Sequence, residues 1–235
     1  MIPLRDTTQS KTIPFVNYLI IATCGFVFLY ENSLGEHLES FVHRFAVIPS
    51  NVAAVVFRYD TGFAAIVDRI VHLGYGALLP LVTSTFLHGG WMHLIGNMLY
   101  LYIFGDNIED RLGHIGYFFF YFLCGIGATL TEVYFQQHSP VPLIGASGAI
   151  AGILGAYFIL YPRARITTLV PLFVFFPVVE ISAFFFLGFW FLMQFIYASL
   201  PSGADVAGGV AWWAHAGGFV VGAVLLPVFL FLKKK

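Results

Sequence analysis

Four polar side chains interrupt apolar runs long enough to cross a bilayer: His93 and Asn97 in one run, Ser147 in a second and His215 in a third. A charged group in such a run costs at least roughly 2.5 kcal/mol at the bilayer centre, so polar residues there are functional candidates by default. Their types suit acyl transfer. A serine hydroxyl is a weak nucleophile until a base within hydrogen-bond reach takes its proton, and imidazole, with a reference pKa of about 6.5, fits that task. Negative charge then develops on the attacked carbonyl oxygen, where a prepositioned donor is worth roughly 3 to 4 kcal/mol. The amide of Asn97, the ring N–H of His93 and the backbone N–H of Ser147 are the candidate donors. No Asp or Glu is expected at the same depth, since Glu132 and Asp205 fall near outer ends of apolar runs and Glu180 near an inner one. The expectation is a Ser147–His215 dyad, not a triad.

Taken singly, each residue has a plainer reading. A serine in a membrane helix usually packs or bonds back to a carbonyl, Asn97 reads as interhelical glue, and His93 as a satisfied helix histidine. Combination carries the catalytic reading. Rival chemistries fail on spacing: a zinc protease wants HExxH, but His88 and His93 are five apart and face different ways, so no metal and no other cofactor is expected. Asp106 has no second intramembrane aspartate at matching depth, which leaves an aspartyl dyad unsupported. His88, at the membrane edge, is a supporting residue that suits structural hydrogen bonding as well as catalysis. His37, His43, His72, His114 and His138 read as loop or interface residues.

The elements that position these groups follow from composition. Of 235 residues, 59% are apolar and 10% charged, with a mean hydropathy of +0.86; a soluble domain is roughly 25% charged. A soluble globule and a disordered chain are excluded, and a net charge of -1 without a basic patch excludes nucleic-acid binding. Cys24 and Cys124 lie inside apolar runs and read as inert buried thiols. Six runs approach span length, over residues 12–30, 90–104, 114–135, 144–161, 179–200 and 207–232. The fold class expected is therefore all-α: a polytopic, six-transmembrane-helix bundle forming a single domain over residues 1–235. Its long first loop, residues 31–87, is partly embedded. Residues 63–86 tempt a seventh span, but Asp68, Arg69, Gly74, Gly76 and Pro80 argue against it. Six spans with both termini inside also put Arg5, Lys11, Arg111, Arg163, Arg165 and Lys233 to Lys235 in the cytoplasm, eight of the eleven basic residues. In that topology the four polar side chains share one level, within roughly 10 Å of the outer boundary at 1.5 Å per residue.

Glycine spacing brings two of the helices together. Gly148, Gly152 and Gly155 recur at i, i+4 and i+7, and Gly218 and Gly222 follow His215 at i+3 and i+7; small stripes of this kind let backbones approach closely in lipid. His93 and Asn97, at i and i+4, project from one helix face. Three motifs now stand in order: Gly145-Ala146-Ser147-Gly148 as GxSG, Ala214-His215-Ala216-Gly217-Gly218 as AHxxG, and His88-Gly-Gly-Trp-Met-His93-Leu-Ile-Gly-Asn97 as HxxxxHxxxN. With Phe104-Gly105 and Ile108 through Gly113 behind them, the chain resembles the rhomboid intramembrane serine proteases over nearly its whole length, residues 12–232.

That resemblance implies Ser147 as nucleophile, His215 as general base and acid, and His93 with Asn97 as the oxyanion site, with Gly145, Gly148, Gly152 and Gly218 in support. It also implies that the fifth span, the outer loop after it and the long first loop control lateral substrate access. The first loop departs from many relatives in lacking a Trp-Arg pair. The expected activity is hydrolysis of peptide bonds in or beside transmembrane segments of other membrane proteins, with membrane lipids as the other partner. A non-catalytic member of the same fold that binds or chaperones transmembrane helices is the alternative. A channel or transporter would need a repeat or a charged pore ring that the sequence lacks. Basic inner loops and the lack of a transit peptide point to a bacterial-type plasma (inner) membrane.

Overall fold

The computed structural model describes residues 1–57, 78–200 and 210–233. Strand β1 (Ile2–Asp6) leads into helix α1 (Phe15–Ser33), followed by the short helices α2 (Leu38–Phe45), α3 (Pro49–Val56) and α4 (Pro80–Thr83). Helices α5 (Trp91–Leu112), α6 (His114–Phe135) and α7 (Ser147–Leu160) come next. Strands β2 (Arg165–Leu169) and β3 (Val178–Ser182) then precede α8 (Ala183–Ser199) and α9 (Trp212–Lys233). Helices α1, α6 and α9 are long and apolar enough to cross a membrane, while α7 and α8 are shorter apolar helices. The chain is a membrane protein in character.

Helix α7 is the hub. Every residue from Ala149 to Tyr157 is buried, the signature of a helix that is hydrophobic all round and enclosed by others. It packs on α9, α6 and α5. Against α9 the approach is backbone to backbone: a Cβ on Gly155 would run into the carbonyl of Phe219, and one on Gly222 into the backbone of Gly152. On the α6 side a Cβ on Gly152 would sit 2.5 Å from Cys124 Sγ, so one glycine serves two interfaces. Cys24 and Cys124 are both free and buried.

Several bounds depart from the hydropathy reading. The second run was expected over residues 90–104, but α5 continues through Asp106, Glu109, Asp110 and Arg111 to Leu112. Those charges end an apolar run without ending a helix, because they have partners. Buried Glu109 accepts the backbone N–H groups of Val16 and Asn17 at 2.9 and 2.7 Å, and Asp110 accepts those of Lys11 and Thr12 at 3.1 and 3.0 Å. Glu109 thus satisfies orphan donors in the first turn of α1, and Asp110 holds the segment that leads into it. His114, read as an interface residue, holds the second face of this clamp through Nδ1 on Glu109. Gly113, at φ 77°, permits the sharp turn into α6.

The other correction concerns strands. The expectation of an all-helical chain missed a three-stranded antiparallel sheet in the order β1-β2-β3. Residues 179–182, assigned to the fifth span, belong to β3, which pairs Arg165 with Ser182 and Leu169 with Val178. The fifth helix therefore begins only at Ala183. The fourth begins at Ser147, not residue 144, and the first occupies residues 15–33 behind Pro14. In the first connection, residues 31–87, α3 and α4 pack beside α6, with Val47, Val52, Ala53, Leu81 and Val133 in one apolar cluster. Arg58, Asp60, Asp68, Arg69, His72, Gly74 and Gly76, the loop at residues 201–208 with Asp205, the start of the sixth run at 207, and Lys234 and Lys235 lie outside the described residues.

Candidate active site

Ser147 is the first residue of α7, and the segment before it is fixed from outside the helix. Leu143 and Val47 exchange backbone hydrogen bonds at 3.2 and 2.7 Å, and the N–H of Gly145 donates to the carbonyl of Ser84 at 2.9 Å. Gly145 adopts φ 119°, a backbone conformation that disfavours any side chain. It also has no room for one, since a Cβ there would lie 2.7 Å from His93 Nε2 and 3.6 Å from Asn97 Nδ2. The GxSG glycine therefore does two jobs: it turns the chain into α7 and lets the two polar groups of α5 close on the residues before Ser147.

From α9, His215 meets Ser147 with Nε2 2.8 Å from Oγ. The first turn of α9 is held by Glu132 of α6, whose carboxylate accepts the N–H of Ala214 at 2.8 Å. The sequence reading placed Glu132 near an outer helix end; its function there is to anchor the turn that carries the imidazole. The opposite ring nitrogen, Nδ1, lies 2.8 Å from Gln194 Oε1, and the Gln194 amide nitrogen donates to the carbonyl of Trp190 at 3.3 Å. With its nitrogen so engaged, the buried glutamine presents its oxygen to the ring, so Nδ1 carries the proton and Nε2 is left to accept from the serine hydroxyl. Trp190 and Trp212 flank the imidazole with ring centroids at 5.9 and 6.0 Å. Sequence reasoning sought a carboxylate behind His215 and passed over Gln194. The available signal was a lone amide inside the apolar fifth run.

His93 accepts the N–H of Gly89 at Nδ1, 3.4 Å, which leaves its Nε2 as a donor. Asn97 is buried, and its Nδ2 has no hydrogen-bond partner among the described residues. His88 stands behind this pair: it is buried, its ring meets that of His93 edge-on at 5.2 Å, its Nδ1 contacts the carbonyl of Phe86 at 3.1 Å, and its N–H donates to Glu31 at 3.2 Å. Burial, with the nearby His93 second, pushes its pKa down to about 4. A cavity of about 990 Å³ joins His93, Asn97, Ser147 and His215, with Trp190 and Tyr100 on its apolar wall. His88 does not line it. Gly148, Gly152 and Gly218 lie below, in the close contact between α7 and α9.

This arrangement places one hydroxyl, one oriented imidazole and two donor side chains from three helices around one cavity. A family model for the rhomboid domain matches residues 75–231, well over half of the chain and all of these groups. The chain belongs to the rhomboid family. Among its relatives, it is 30% identical over 165 residues to Rhomboid protease AarA of Providencia stuartii, covering 65% of this chain and 56% of that one. It is 30% identical over 151 residues to the mitochondrial Rhomboid protein 1 of Saccharomyces cerevisiae, with 62% and 40% covered. Over 79 residues it is 38% identical to the chloroplastic Rhomboid-like protein 11 of Arabidopsis thaliana, with 34% and 28% covered. The chain thus spans between 28% and 56% of these rhomboid relatives.

Proposed function

We propose that this chain is an intramembrane serine endopeptidase that cleaves other membrane proteins in or beside a transmembrane segment, without a cofactor. The observation that carries the reading is the 2.8 Å contact between Ser147 Oγ and His215 Nε2, backed by a 2.8 Å contact from Nδ1 to Gln194. In the reaction His215 Nε2 takes the Ser147 proton as Oγ attacks the peptide carbonyl. Asn97 Nδ2, His93 Nε2 and the Ser147 N–H donate to the oxygen on which charge develops. His215 then returns the proton to the leaving amine, and water cleaves the acyl-enzyme by the same steps in reverse order. A helical substrate must unwind before its carbonyl is accessible, so small or helix-breaking residues near the cut are favoured.

The same reading makes the chain a single six-span membrane domain. Its spans are carried by α1, α5, α6, α7, α8 and α9, with the first connection partly embedded beside them. The basic residues Arg5, Lys11, Arg111, Arg163, Arg165 and Lys233 to Lys235 fall before the first span, between the second and third, between the fourth and fifth, and after the sixth, which supports cytoplasmic termini in a bacterial-type plasma membrane. The deciding experiment uses the purified protein in detergent with a single-span model substrate and a fluorophosphonate probe. Both labelling and cleavage are expected in the wild type and are lost in Ser147→Ala and His215→Ala. Cleavage that persists in Ser147→Ala overturns the nucleophile assignment. A folded wild type that neither labels nor cleaves, yet retains the substrate, is instead a binder of transmembrane helices.

A further inference from the structure

Strands β2 and β3 form a hairpin whose tip is bare. From residue 169 to residue 179 the sequence Leu-Val-Pro-Leu-Phe-Val-Phe-Phe-Pro-Val-Val contains no polar side chain. Phe173 is fully exposed, and Val174 and Phe175 are 79% and 72% exposed. The base, by contrast, packs on the bundle, with Ile166 and Thr168 buried. Phe173 also sits at φ 54°, a left-handed conformation that a two-residue hairpin loop normally gives to glycine or asparagine. An aromatic residue is thus held at the apex against its backbone preference.

We propose that this hairpin is an anchor that lies in the boundary between acyl chains and headgroups of the inner leaflet, with Arg163 and Arg165 at its base set against anionic headgroups. The proposal rests on the membrane-spanning reading above. Its occupant follows from geometry. Successive side chains of a strand point to opposite faces, and here both faces are apolar. A protein partner docked on one face would leave the other in water, whereas lipid surrounds the tip on all sides, as it does a helix that is apolar all round. The tip keeps part of its backbone paired outside water, which suits the boundary region better than the hydrocarbon centre. Val170 donates to Pro177 at 3.0 Å, Leu172 and Phe175 exchange bonds at 2.8 and 2.9 Å, and Pro171 and Pro177 have no N–H to satisfy. The strand also runs directly into α8, whose first turn exposes Phe184 and Phe185 at 50% and 69%, with the exposed carboxylate of Glu180 between the two apolar patches. Arg163, Arg165, Phe184 and Phe185 line one concavity at the junction together with Glu180; two guanidinium groups against one carboxylate leave it net basic beside its aromatic rings, a combination that suits an interface.

The test places an environment-sensitive fluorophore on Phe173→Cys, or separately on Phe176→Cys, in nanodiscs of phosphatidylcholine and phosphatidylglycerol. Cys24 and Cys124 are buried and do not compete for label. Glu36→Cys, an exposed charged position in the turn after α1, supplies the aqueous reference and Phe189→Cys, on the outer face of α8, the acyl-chain reference. The hairpin labels are expected to emit to the blue of the Glu36 label, to lose most of their fluorescence to nitroxide-bearing lipids and to be shielded from iodide. Quenching by iodide as at Glu36, with Phe189 still quenched by lipid, overturns the anchor while leaving the spanning reading intact. Shielding from both quenchers also overturns it, since protein then covers the tip. An iodide-accessible label at Phe189 refutes the spanning reading itself.

Discussion

Gln194→Leu removes the acceptor behind His215 without touching the serine. The contact it deletes is short, 2.8 Å from Nδ1 to Oε1, and Gln194 is 8% exposed, so water does not readily replace the lost oxygen. A buried donor left without its partner costs about 1 to 3 kcal/mol. The ring can escape that cost by moving its proton to Nε2, but that tautomer faces Ser147 with a donor and is no base. Either way the productive state becomes scarcer, and at 1.36 kcal/mol per decade kcat should fall about 5- to 150-fold with little change in KM. Steady-state cleavage of a single-span substrate in detergent measures both constants. Gln194→Glu supplies the control that a packing role would not pass: a carboxylate keeps the bond to Nδ1–H and stabilises the imidazolium. Activity should then survive while the acid limb of the kcat/KM profile moves to higher pH. A folded Gln194→Leu protein with unchanged kcat, or a Gln194→Glu profile that does not move, would refute the tautomer argument.

Other predictions follow from the same contacts. Asn97→Ala should lower kcat by about 10²-fold or more, with probe labelling of Ser147 weakened less than substrate turnover. Gly222→Ala pushes a Cβ into the backbone of Gly152 and should cost about 3 kcal/mol of stability along with most activity. By comparison, Gly25→Ala, with nothing within 4 Å, should leave thermal unfolding in detergent unchanged or slightly raised. Gly145→Ala meets both a φ of 119° and His93 Nε2 at 2.7 Å, so it should abolish cleavage even where circular dichroism shows an intact helical fold. The low pKa of His88 has a defined sign. Burial keeps its folded pKa at about 4 against an ordinary 6.5, so the unfolded chain takes up a proton more readily. Stability is intact above pH 6.5 and falls as pH drops, by about 3 kcal/mol once below 4. His88→Gln should flatten that part of the melting-temperature profile, and a variant profile parallel to the wild type would contradict it.

What was legible in the sequence was whatever conflicts with lipid. Ser147, His215, His93 and Asn97 stood out because polar groups are rare inside apolar runs, and the structure brings them to one cavity. The third apolar run coincides with α6 at both ends, residues 114 and 135, because Gly113 and polar residues flank it. Hydropathy fails where solvent and hydrogen-bond pattern part company. Residues 165–182 are rich in apolar side chains, yet Pro171 and Pro177 within seven residues disfavour a helix, and residues 165–169 pair with 178–182 as strands. Gln194 was overlooked for the opposite reason: an uncharged amide scarcely disturbs an apolar average. Glu132 reads as a boundary charge because its partner, the N–H of Ala214, lies far off in the chain, as the partners of Glu109, the N–H groups of Val16 and Asn17, also do.

Those distant partners explain why the candidate site sits at helix starts. Helix α7 has 14 residues where α6 has 22, a difference of about 12 Å in length at 1.5 Å per residue. The missing turns are replaced by residues 136–146, which hang on the first connection through Val47, Ser84 and the bond from Ser50 N–H to the carbonyl of Ser139 at 3.1 Å. A longer α7 would fill the space now occupied by the cavity and carry its first residue past His215. The short helix instead stops where α9, fixed by Glu132, brings the imidazole. The backbone groups of Val47, Ser50 and Ser84 therefore help determine where the serine ends up, although none of these residues lines the cavity.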